Sequence, residues 1–377
     1  MKEHILAINL GSTSTELAIY KGAEELWQEQ ISHSTAELAK FDRVNEQLPW
    51  RQELIIDSLV AAEVEIKELA AIAARGGAGL DALPGGVYSI DEVMVADLKA
   101  AKNAEHASNL AGIIAFELSQ EYKIPSFVVD PITVDEFPLV ARLSGWSKLP
   151  RRCQSHALNL KAISRNVAED LNRELTELRL IGVHLGGGFS IAPIKEGRII
   201  DVNNANQQGP YSPERAGGLP VMQLVDYIYA EEPTKEELQK ELIVQGGLAS
   251  YLGTNSGEEI EERIKDGDAQ AELVYQGMIY QLAKEIGAMA TVLKGEVDAI
   301  FLTGGLANSD YLVQEIIARV GYIAPVRLYP GAEEMKHLAQ GVGRVLTKVE
   351  SAKDYDRARK SFNQRLAEYE QWDIQWR

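Results

Sequence analysis

One repeated pattern constrains the fold of this chain more than any other feature. It is an apolar strand, a glycine-containing turn and a second strand, and it occurs in both halves of the sequence. The first copy spans residues 4–20 with its turn at 10–14, and the second spans residues 179–194 with its turn at 185–188. Such a duplication predicts two α/β halves with a cleft between them. Because no low-complexity linker separates the halves, we expect them to pack closely.

Hydrophobic periodicity supplies the remaining predicted elements. Short apolar runs predict buried strands at 71–74, 126–129 and 299–303. Apolar residues at helical spacing predict helices at 44–69, 151–171, 220–230, 235–245, 269–294 and 352–376, and a pair within 91–122 that breaks near Glu105-His106. The tail helix carries Phe362, Leu366, Tyr369 and Trp376 near one face. We expect that face to pack on the N-terminal domain, and the alternative is that it binds a partner.

Composition excludes several classes of protein. The chain of 377 residues has one Cys, Cys153, which excludes a disulfide scaffold and a Cys-based zinc site. Thirty-eight basic against 56 acidic residues give a net charge of −18, which argues against nucleic-acid binding. No apolar run has the length of a membrane span, and the N-terminus lacks the shape of a signal peptide. We therefore expect a cytoplasmic protein with neither a membrane nor a nucleic-acid partner.

Three glycine turns follow apolar strands, at residues 10–14, 185–188 and 304–305. Glycine lets backbone N–H groups approach an anion closely, so such turns can hold phosphate. Neither the P-loop pattern nor the G-x-G-x-x-G fingerprint is present. Each turn alone is typical of a plain hairpin. Three of them in repeated strand contexts favour a nucleotide site divided between the two halves.

Arginine beside glycine is the second chemical signal. Arg75 precedes Gly76-Gly77 and Arg215 precedes Ala216-Gly217-Gly218. A guanidinium suits carboxylate and phosphoryl oxygens, and small neighbours leave room for a substrate, although surface loop arginines remain the alternative. Asp130 directly follows a strand, the usual place of a functional carboxylate in α/β proteins.

Histidines and a glutamate pair complete the candidates. His106, His156 and His184 lie at junctions between elements, where a structural role is the alternative to a catalytic one. Glu333-Glu334 follows a turn, so the pair predicts either a helix start or a carboxylate that faces magnesium.

Several motifs occur in one order along nearly the whole chain. They are Asn9-Leu-Gly-Ser-Thr-Ser-Thr, Arg75-Gly-Gly, Glu105-His-Ala-Ser-Asn-Leu, Val129-Asp-Pro, His156-Ala-Leu-Asn, His184-Leu-Gly-Gly-Gly, Asp201-Val-Asn-Asn, Ser212-Pro-Glu-Arg-Ala-Gly-Gly-Leu-Pro, Tyr251-Leu-Gly-Thr-Asn and Phe301-Leu-Thr-Gly-Gly. The series covers about residues 5–345 and resembles the acetokinase family, most closely its butyrate kinase branch. Each motif is modest alone, but their order and completeness make the resemblance specific.

The resemblance implies an α/β fold of two duplicated actin-like (ribonuclease H-like) domains with an interdomain nucleotide cleft. The expected N-terminal domain is 1–150 with a returning helix in 345–377, and the expected C-terminal domain is 151–344. The resemblance also implies ATP/ADP and Mg²⁺ as cofactors, a short-chain fatty acid as substrate, and a homodimer or larger homo-oligomer.

The resemblance carries roles onto particular residues. Arg75 and Arg215 resemble the two active-site arginines of acyl kinases, Asp130 the active-site aspartate, and His156 the histidine that acts on the transition state. His106 resembles a second active-site histidine, which together with Arg75 would bind the substrate. Asn9 and Glu334 match groups placed near magnesium. The nucleotide-binding residues implied are Ser12, Thr13, Ser14, His184, Gly186, Gly187, Gly188, Gly304, Gly305 and Asn308.

The function implied is reversible, ATP-dependent phosphorylation of butyrate or a branched-chain analogue to an acyl phosphate, by direct in-line transfer. One departure favours an alternative, a non-catalytic or weakly active nucleotide-binding member of the same superfamily. Relatives usually carry Lys at the position of Glu16, so the charge near the nucleotide phosphates is reversed. A sugar kinase is a further alternative, but the Arg-Gly-Gly and Ser-Pro-Glu-Arg segments favour a carboxylate substrate.

Overall fold

The structure is a computed structural model that describes residues 2–367, and the chain divides into two compact units. Among the described residues, the first unit contains residues 2–135, the segment Ser144–Pro150 and residues 333–367. The second contains Glu136–Leu143 and Arg151–Ala332. Each unit is built on its own sheet and has its own apolar core.

The sheet of the first unit has the strand order β3-β2-β1-β4-β6-β5. Its strands are β1 (His4–Leu10), β2 (Ser14–Lys21), β3 (Glu24–Ser32), β4 (Ala71–Ala74), β5 (Val87–Ser89) and β6 (Ser126–Val129). β1 is antiparallel to β2 and parallel to β4, and β4 is parallel to β6. The carboxyl ends of the three parallel strands therefore meet at one edge, where their following residues are brought together.

The first unit also contains helices. They are α1 (Thr35–Leu38), α2 (Leu48–Ala61), α3 (Glu92–Ala100) and α4 (Ser108–Tyr122). Two more belong to this unit but come later in the chain, and we number them in chain order as α13 (Glu334–Leu346) and α14 (Tyr355–Ala367). α13 buries Met335, Leu338, Ala339 and Val342 at helical spacing and packs on β1 and β4.

The sheet of the second unit has the order β11-β10-β7-β8-β9. Its strands are β7 (Arg179–Leu185), β8 (Phe189–Lys195), β9 (Arg198–Ile199), β10 (Ala299–Gly304) and β11 (Val326–Pro330). β7 and β8 form the second antiparallel hairpin that the repeated pattern predicts, and β10 lies parallel to β7. The first hairpin, β1–β2, occupies the corresponding place in the first sheet. The predicted duplication is thus visible in both sheets.

The helices of the second unit are α5 (Leu139–Arg142), α6 (Ala157–Leu171), α7 (Val221–Glu231), α8 (Lys235–Ile243), α9 (Gly247–Leu252), α10 (Gly257–Lys265), α11 (Ala269–Val292) and α12 (Asp310–Val320). α11 crosses the core, where Tyr275, Met278, Ile279 and Leu282 are fully buried. Side-chain caps start several of these helices, among them Thr234 before α8 and Asp268 before α11.

Two helices are shorter than the sequence predicts. The helix expected over 44–69 is regular only as α2, because Glu63 takes a left-handed conformation just after it and interrupts the run. The helix expected over 151–171 begins only at Ala157. Residues 151–156 stay irregular while the Arg151 guanidinium binds Asp201 and the Ala141 carbonyl. His156 therefore lies at the start of α6 rather than inside a helix.

The chain re-enters the first unit at Glu333, whereas the sequence placed that return at 345, which lies within α13. The reason is the packing of α13 on β1 and β4 described above. α14 follows and packs against α3, with Phe362 and Leu366 buried. Tyr369 and Trp376, which the sequence analysis assigned to the same face, lie outside the described residues.

The helices were also compared with the length and hydrophobicity that a membrane span requires. Within residues 2–367, no helix is both long enough and apolar enough to cross a bilayer.

Candidate active site

The candidate residues of the first unit gather where its parallel strands end. Asn9 lies near the end of β1, directly opposite Glu16 of β2. Arg75 directly follows β4, and its backbone N–H donates to the Ile8 carbonyl of β1 at 3.0 Å. Asn9 Nδ2 donates to Glu16 Oε2 at 2.9 Å and to Glu334 Oε2 at 3.0 Å. The sheet and the start of α13 thus bring together Asn9, Arg75 and Glu334, which are far apart in sequence.

The arginine of this cluster is already paired. Arg75 Nη1 forms an ion pair with Glu334 Oε2, and their side chains are 24% and 22% exposed. Glu333 faces elsewhere and pairs with Lys336. Of the two adjacent glutamates, Glu334 is therefore the one that meets Asn9 and Arg75.

Asn9 and Glu334 can be tested for their fit to magnesium. Mg²⁺ prefers carboxylate and carbonyl oxygens and usually combines one or two carboxylates with water and substrate phosphates. Asn9 Nδ2 donates to Glu334 Oε2 at 3.0 Å, so the Glu334 carboxylate and the Asn9 side-chain amide lie side by side. Within residues 2–367 no group of three or more His, Cys, Asp or Glu side chains could hold a metal by protein ligands alone. The donors fit a magnesium ion that a substrate phosphate helps to hold.

The first glycine turn lies beside His106. Ser12 Oγ is 3.2 Å from His106 Nε2, and His106 Nδ1 accepts the Ser108 backbone N–H at 3.1 Å. Since Nδ1 accepts, the neutral ring carries its proton on Nε2 and can donate it to a ligand or to Ser12. Desolvation, followed by the charges of Arg75 and Arg51, lowers the pKa of His106 although part of the ring is exposed. This histidine is therefore a neutral donor at neutral pH.

Asp130 has a visible structural task. It directly follows β6 and takes a left-handed conformation with φ 36°. Its Oδ1 accepts the Gly86 N–H at 2.7 Å, and its own N–H donates to the Gly86 carbonyl at 3.0 Å. The carboxylate thus anchors the loop before β5, and its predicted catalytic role stays a prediction.

A stacked pair of histidines lies in the second unit. The rings of His156 and His184 are parallel within 16°, with centroids 3.9 Å apart. His156 Nδ1 lies 2.9 Å from Ser190 Oγ, and His184 Nδ1 lies 2.8 Å from Asn159 Oδ1. Each ring is therefore oriented by a polar group on its Nδ1 side.

The second glycine turn packs directly on Arg215. A Cβ on Gly188 would lie 3.2 Å from the Arg215 guanidinium carbon, so a side chain there would push the arginine away. Arg215 Nη1 donates to Asn206 Oδ1 at 2.6 Å, and Ser212 Oγ donates to the Gly187 carbonyl at 2.6 Å. The turn and the arginine are thus held as one unit.

The electrostatic state of Arg215 suits an anion. Burial lowers the pKa of its guanidinium, and the neighbouring Glu214 acts in the opposite direction. Its Nε is buried and has no hydrogen-bond partner among the described residues. A partly buried guanidinium beside a glycine turn, with one nitrogen that has no partner among the described residues, is an arrangement that suits an oxyanion.

The third glycine turn lies next to the second. β10 pairs with β7 so that Thr303 is opposite His184. Gly304 has φ 90°, and a Cβ there would be 2.7 Å from the Leu185 carbonyl carbon. Gly304 and Gly331 exchange backbone hydrogen bonds, and Asn308 Nδ2 caps the Gly305 carbonyl at 2.9 Å. The two turns of this unit therefore meet through a contact that only glycine permits.

Sequence reasoning missed Asn159, Ser190 and Arg51. Asn159 lies three residues after His156 on α6, so the helical period could have placed both side chains near each other. Ser190 is directly opposite His184 in the β7–β8 register, which a hairpin alignment of the two strands could have shown. The sequence drew attention to the charge of Glu16, but its hydrogen bond with Asn9 is evident only from the structure.

Comparison with known proteins places the chain in a family. The acetokinase family model matches residues 145–327. The chain is 47% identical over 351 residues to Probable butyrate kinase 2 of Caldanaerobacter subterraneus subsp. tengcongensis, an alignment that covers 93% of this chain and 99% of the relative. This chain belongs to the acetokinase family.

Solved structures agree with this assignment at the level of fold. Porphyromonas gingivalis acetate kinase superposes with a TM-score of 0.76 at 19% identity, and the superposition covers 91% of this chain and 100% of that chain. A propionate kinase from Francisella tularensis subsp. tularensis gives a TM-score of 0.69 at 18% identity, with 90% and 98% covered. The predicted two-domain, actin-like α/β fold is confirmed.

Proposed function

We propose that the chain is an acyl kinase that transfers the γ-phosphoryl group of ATP to a short-chain carboxylate and releases ADP and an acyl phosphate. Membership of the acetokinase family supports the reaction class. The observation that carries the proposal is Arg215, a partly buried guanidinium that packs on the Gly188 turn and whose Nε has no hydrogen-bond partner among the described residues. A fork of this kind suits the oxygens of a transferring phosphoryl group.

The proposed chemistry needs no strong base. A carboxylate is already ionised at neutral pH, so one of its oxygens attacks the γ-phosphorus directly while the bond to the β-phosphate oxygen breaks. The electron pair of that bond leaves with ADP. Catalysis then consists of positioning the two reactants and neutralising charge on the phosphoryl oxygens, and we assign the charge neutralisation to Arg75, Arg215 and His156.

The remaining residues have supporting roles in this proposal. His106 and Arg75 bind the carboxylate, and Asp130 orients an arginine or water rather than removing a proton. Magnesium would be held by Asn9 and Glu334 with the nucleotide phosphates, and when bound it offsets phosphate charge. The nucleotide is bound by Ser12, Thr13, Ser14, His184, Gly186, Gly187, Gly188, Gly304, Gly305 and Asn308.

The preferred substrate in this proposal is butyrate or a branched four- or five-carbon acid. The support is the identity to a relative named a probable butyrate kinase. We expect kcat/KM to be higher for butyrate than for acetate, measured by trapping the acyl phosphate with hydroxylamine. A higher value for acetate would contradict the substrate assignment, and phosphorylation of a sugar without acyl phosphate would contradict the function.

Glu16 provides a separate test of the nucleotide site. Its carboxylate is directed at Asn9, beside Glu334, so it adds negative charge where phosphate is proposed to bind. Glu16→Lys should lower KM for ATP by about threefold to tenfold, since it replaces a repulsive charge by an attractive one. Glu24 lies on β3, at the end of the β2–β3 pair that is distant from Glu16. Glu24→Lys changes the net charge by the same amount and should leave the KM for ATP unchanged. Equal KM values for wild type and Glu16→Lys would show that nucleotide phosphates do not bind near this residue.

We also propose that the chain forms a homodimer or larger homo-oligomer through α7. This helix buries none of its residues, and Val221, Met222 and Tyr229 are 69%, 70% and 81% exposed. Apolar surface of this kind marks an interaction site. Met222→Glu should shift the protein toward monomer in light scattering, whereas Tyr322→Ser, an equally exposed apolar residue elsewhere, should not. Wild-type protein that is monomeric at micromolar concentration would contradict this assignment.

A further inference from the structure

Arg51 of α2 has 0% exposure and is the largest fully buried side chain in the described part of the first unit. A buried charge is costly unless it is compensated, usually by a carboxylate. Among residues 2–367 no carboxylate forms an ion pair with Arg51. Burial lowers the pKa of its guanidinium to about 10, so the group remains charged at neutral pH. The burial of this charge therefore has to be explained by its hydrogen-bond partners.

Its partners are mainly groups of the first glycine turn. Arg51 Nη1 donates to the Ser14 carbonyl at 2.9 Å and lies 3.3 Å from Thr15 Oγ1, and Nη2 donates to the Ser12 carbonyl at 3.4 Å. The remaining bond, from Nε to Gln47 Oε1 at 3.0 Å, fixes the guanidinium from the opposite side. The charge is thus compensated by carbonyl dipoles of the turn rather than by an acid.

These bonds determine which way the turn faces. The carbonyl oxygens of residues 12–14 all accept hydrogen bonds from the protein: Ser12 and Ser14 from Arg51, and Thr13 from the His33 N–H at 2.8 Å. In a trans peptide the C=O and the next N–H point in opposite directions. Because the Ser12 carbonyl points inward to Arg51, the N–H of Thr13, an exposed residue, points away from it.

We propose that Arg51 is a positioning residue for nucleotide binding, which holds the carbonyls of the 12–14 turn inward so that the turn offers N–H groups to phosphate. The inference rests on the proposed function, in which this turn binds phosphate. Without the Arg51 guanidinium, a carbonyl of the turn could face outward, where it would repel phosphate. Loss of Arg51 should therefore weaken nucleotide binding, although Arg51 itself does not contact the nucleotide in this proposal.

The test measures ATP and ADP binding by calorimetry, with no need for turnover. Arg51→Lys keeps the charge but cannot bind two carbonyls and Gln47 at once. It should raise the Kd for ATP by about tenfold, a change equal to the loss of about 1.4 kcal/mol, while the KM for the carboxylate changes less than about twofold. Gln47→Leu, which removes only the bond at Nε, should have a smaller effect in the same direction.

Ile55→Ala is the matched control, because Ile55 is fully buried on the same helix and is not bonded to the turn. It should lower Tm but leave the Kd for ATP unchanged. The inference is overturned if Arg51→Lys binds ATP as wild type does, or if Ile55→Ala weakens ATP binding as much for the same fall in Tm. Should Arg51→Lys not fold, Gln47→Leu decides alone, and an unchanged Kd overturns the inference. Wild-type protein that binds no nucleotide overturns the proposed function and this inference together, whereas binding that is insensitive to position 51 overturns only the inference.

Discussion

Replacing Arg75 or Arg215 by alanine is expected to lower kcat by about 10²–10⁴-fold, the range seen when a preorganised charge is removed from a transition state. Arg215 is held by Asn206 and packed on Gly188, and Arg75 is held by Glu334. Guanidinium groups fixed in this way need little reorganisation when charge develops on the phosphoryl oxygens. Arg→Lys at either position should recover little activity, because an ammonium group cannot reproduce the planar fork.

The control for this pair is Arg198→Ala. Arg198 pairs with Glu196 on an exposed turn, so its loss should change kcat by less than about twofold. Steady-state kinetics on folded protein, checked by Tm, measures all the variants. Near-normal kcat in both Arg75→Ala and Arg215→Ala would contradict the proposed mechanism, whatever family the chain belongs to.

Gly304→Ala is expected to damage both stability and nucleotide binding. The residue has φ 90°, where an L side chain is strained by about 1–3 kcal/mol. A Cβ would also lie 2.7 Å from the Leu185 carbonyl carbon, so β10 and the 185–188 turn would have to move apart. We expect a clear fall in Tm and a rise of about tenfold or more in the Kd for ATP.

The neighbouring glycine supplies a close control. A Cβ on Gly305 would meet nothing within 4 Å, so Gly305→Ala tests the loss of glycine without the clash. Its Tm should stay close to wild type. Calorimetric binding that is equal for Gly304→Ala and wild type would mean that the turn at 304–305 is not part of the nucleotide site.

The strands and turns could be predicted from the sequence because their signal is local. The runs at 4–9 and 179–184 are continuous, apolar and followed by glycine, and both became the predicted hairpins. Helix ends were predicted less well. The left-handed Glu63 that follows α2 and the irregular segment before Ala157 depend on long-range contacts, such as that of Arg151 with Asp201, which no local pattern contains.

The candidate site shows the same division. Arg75, Arg215 and the glycine turns stand out in the sequence, but the pairing of Arg75 with Glu334 and of Arg215 with Asn206 becomes evident only in the folded units. Arg51 is the clearest case. It shares an i, i+4 stripe with Ile55 and Leu59, both buried, so its burial could have been inferred from the helical period. Its hydrogen bonds to the turn could not, because α2 and the turn are distant in the chain.

The most direct test of the proposed function traces an oxygen isotope label from substrate to product instead of measuring a reaction rate. Butyrate labelled with ¹⁸O in both carboxylate oxygens is incubated with ATP, magnesium and the protein, and the product is observed by ³¹P NMR. If the carboxylate attacks the γ-phosphorus directly, an acyl phosphate resonance appears with the isotope shift of one ¹⁸O bonded to phosphorus. Release of inorganic phosphate without any acyl phosphate would contradict the account, as would an acyl phosphate whose phosphorus carries no ¹⁸O.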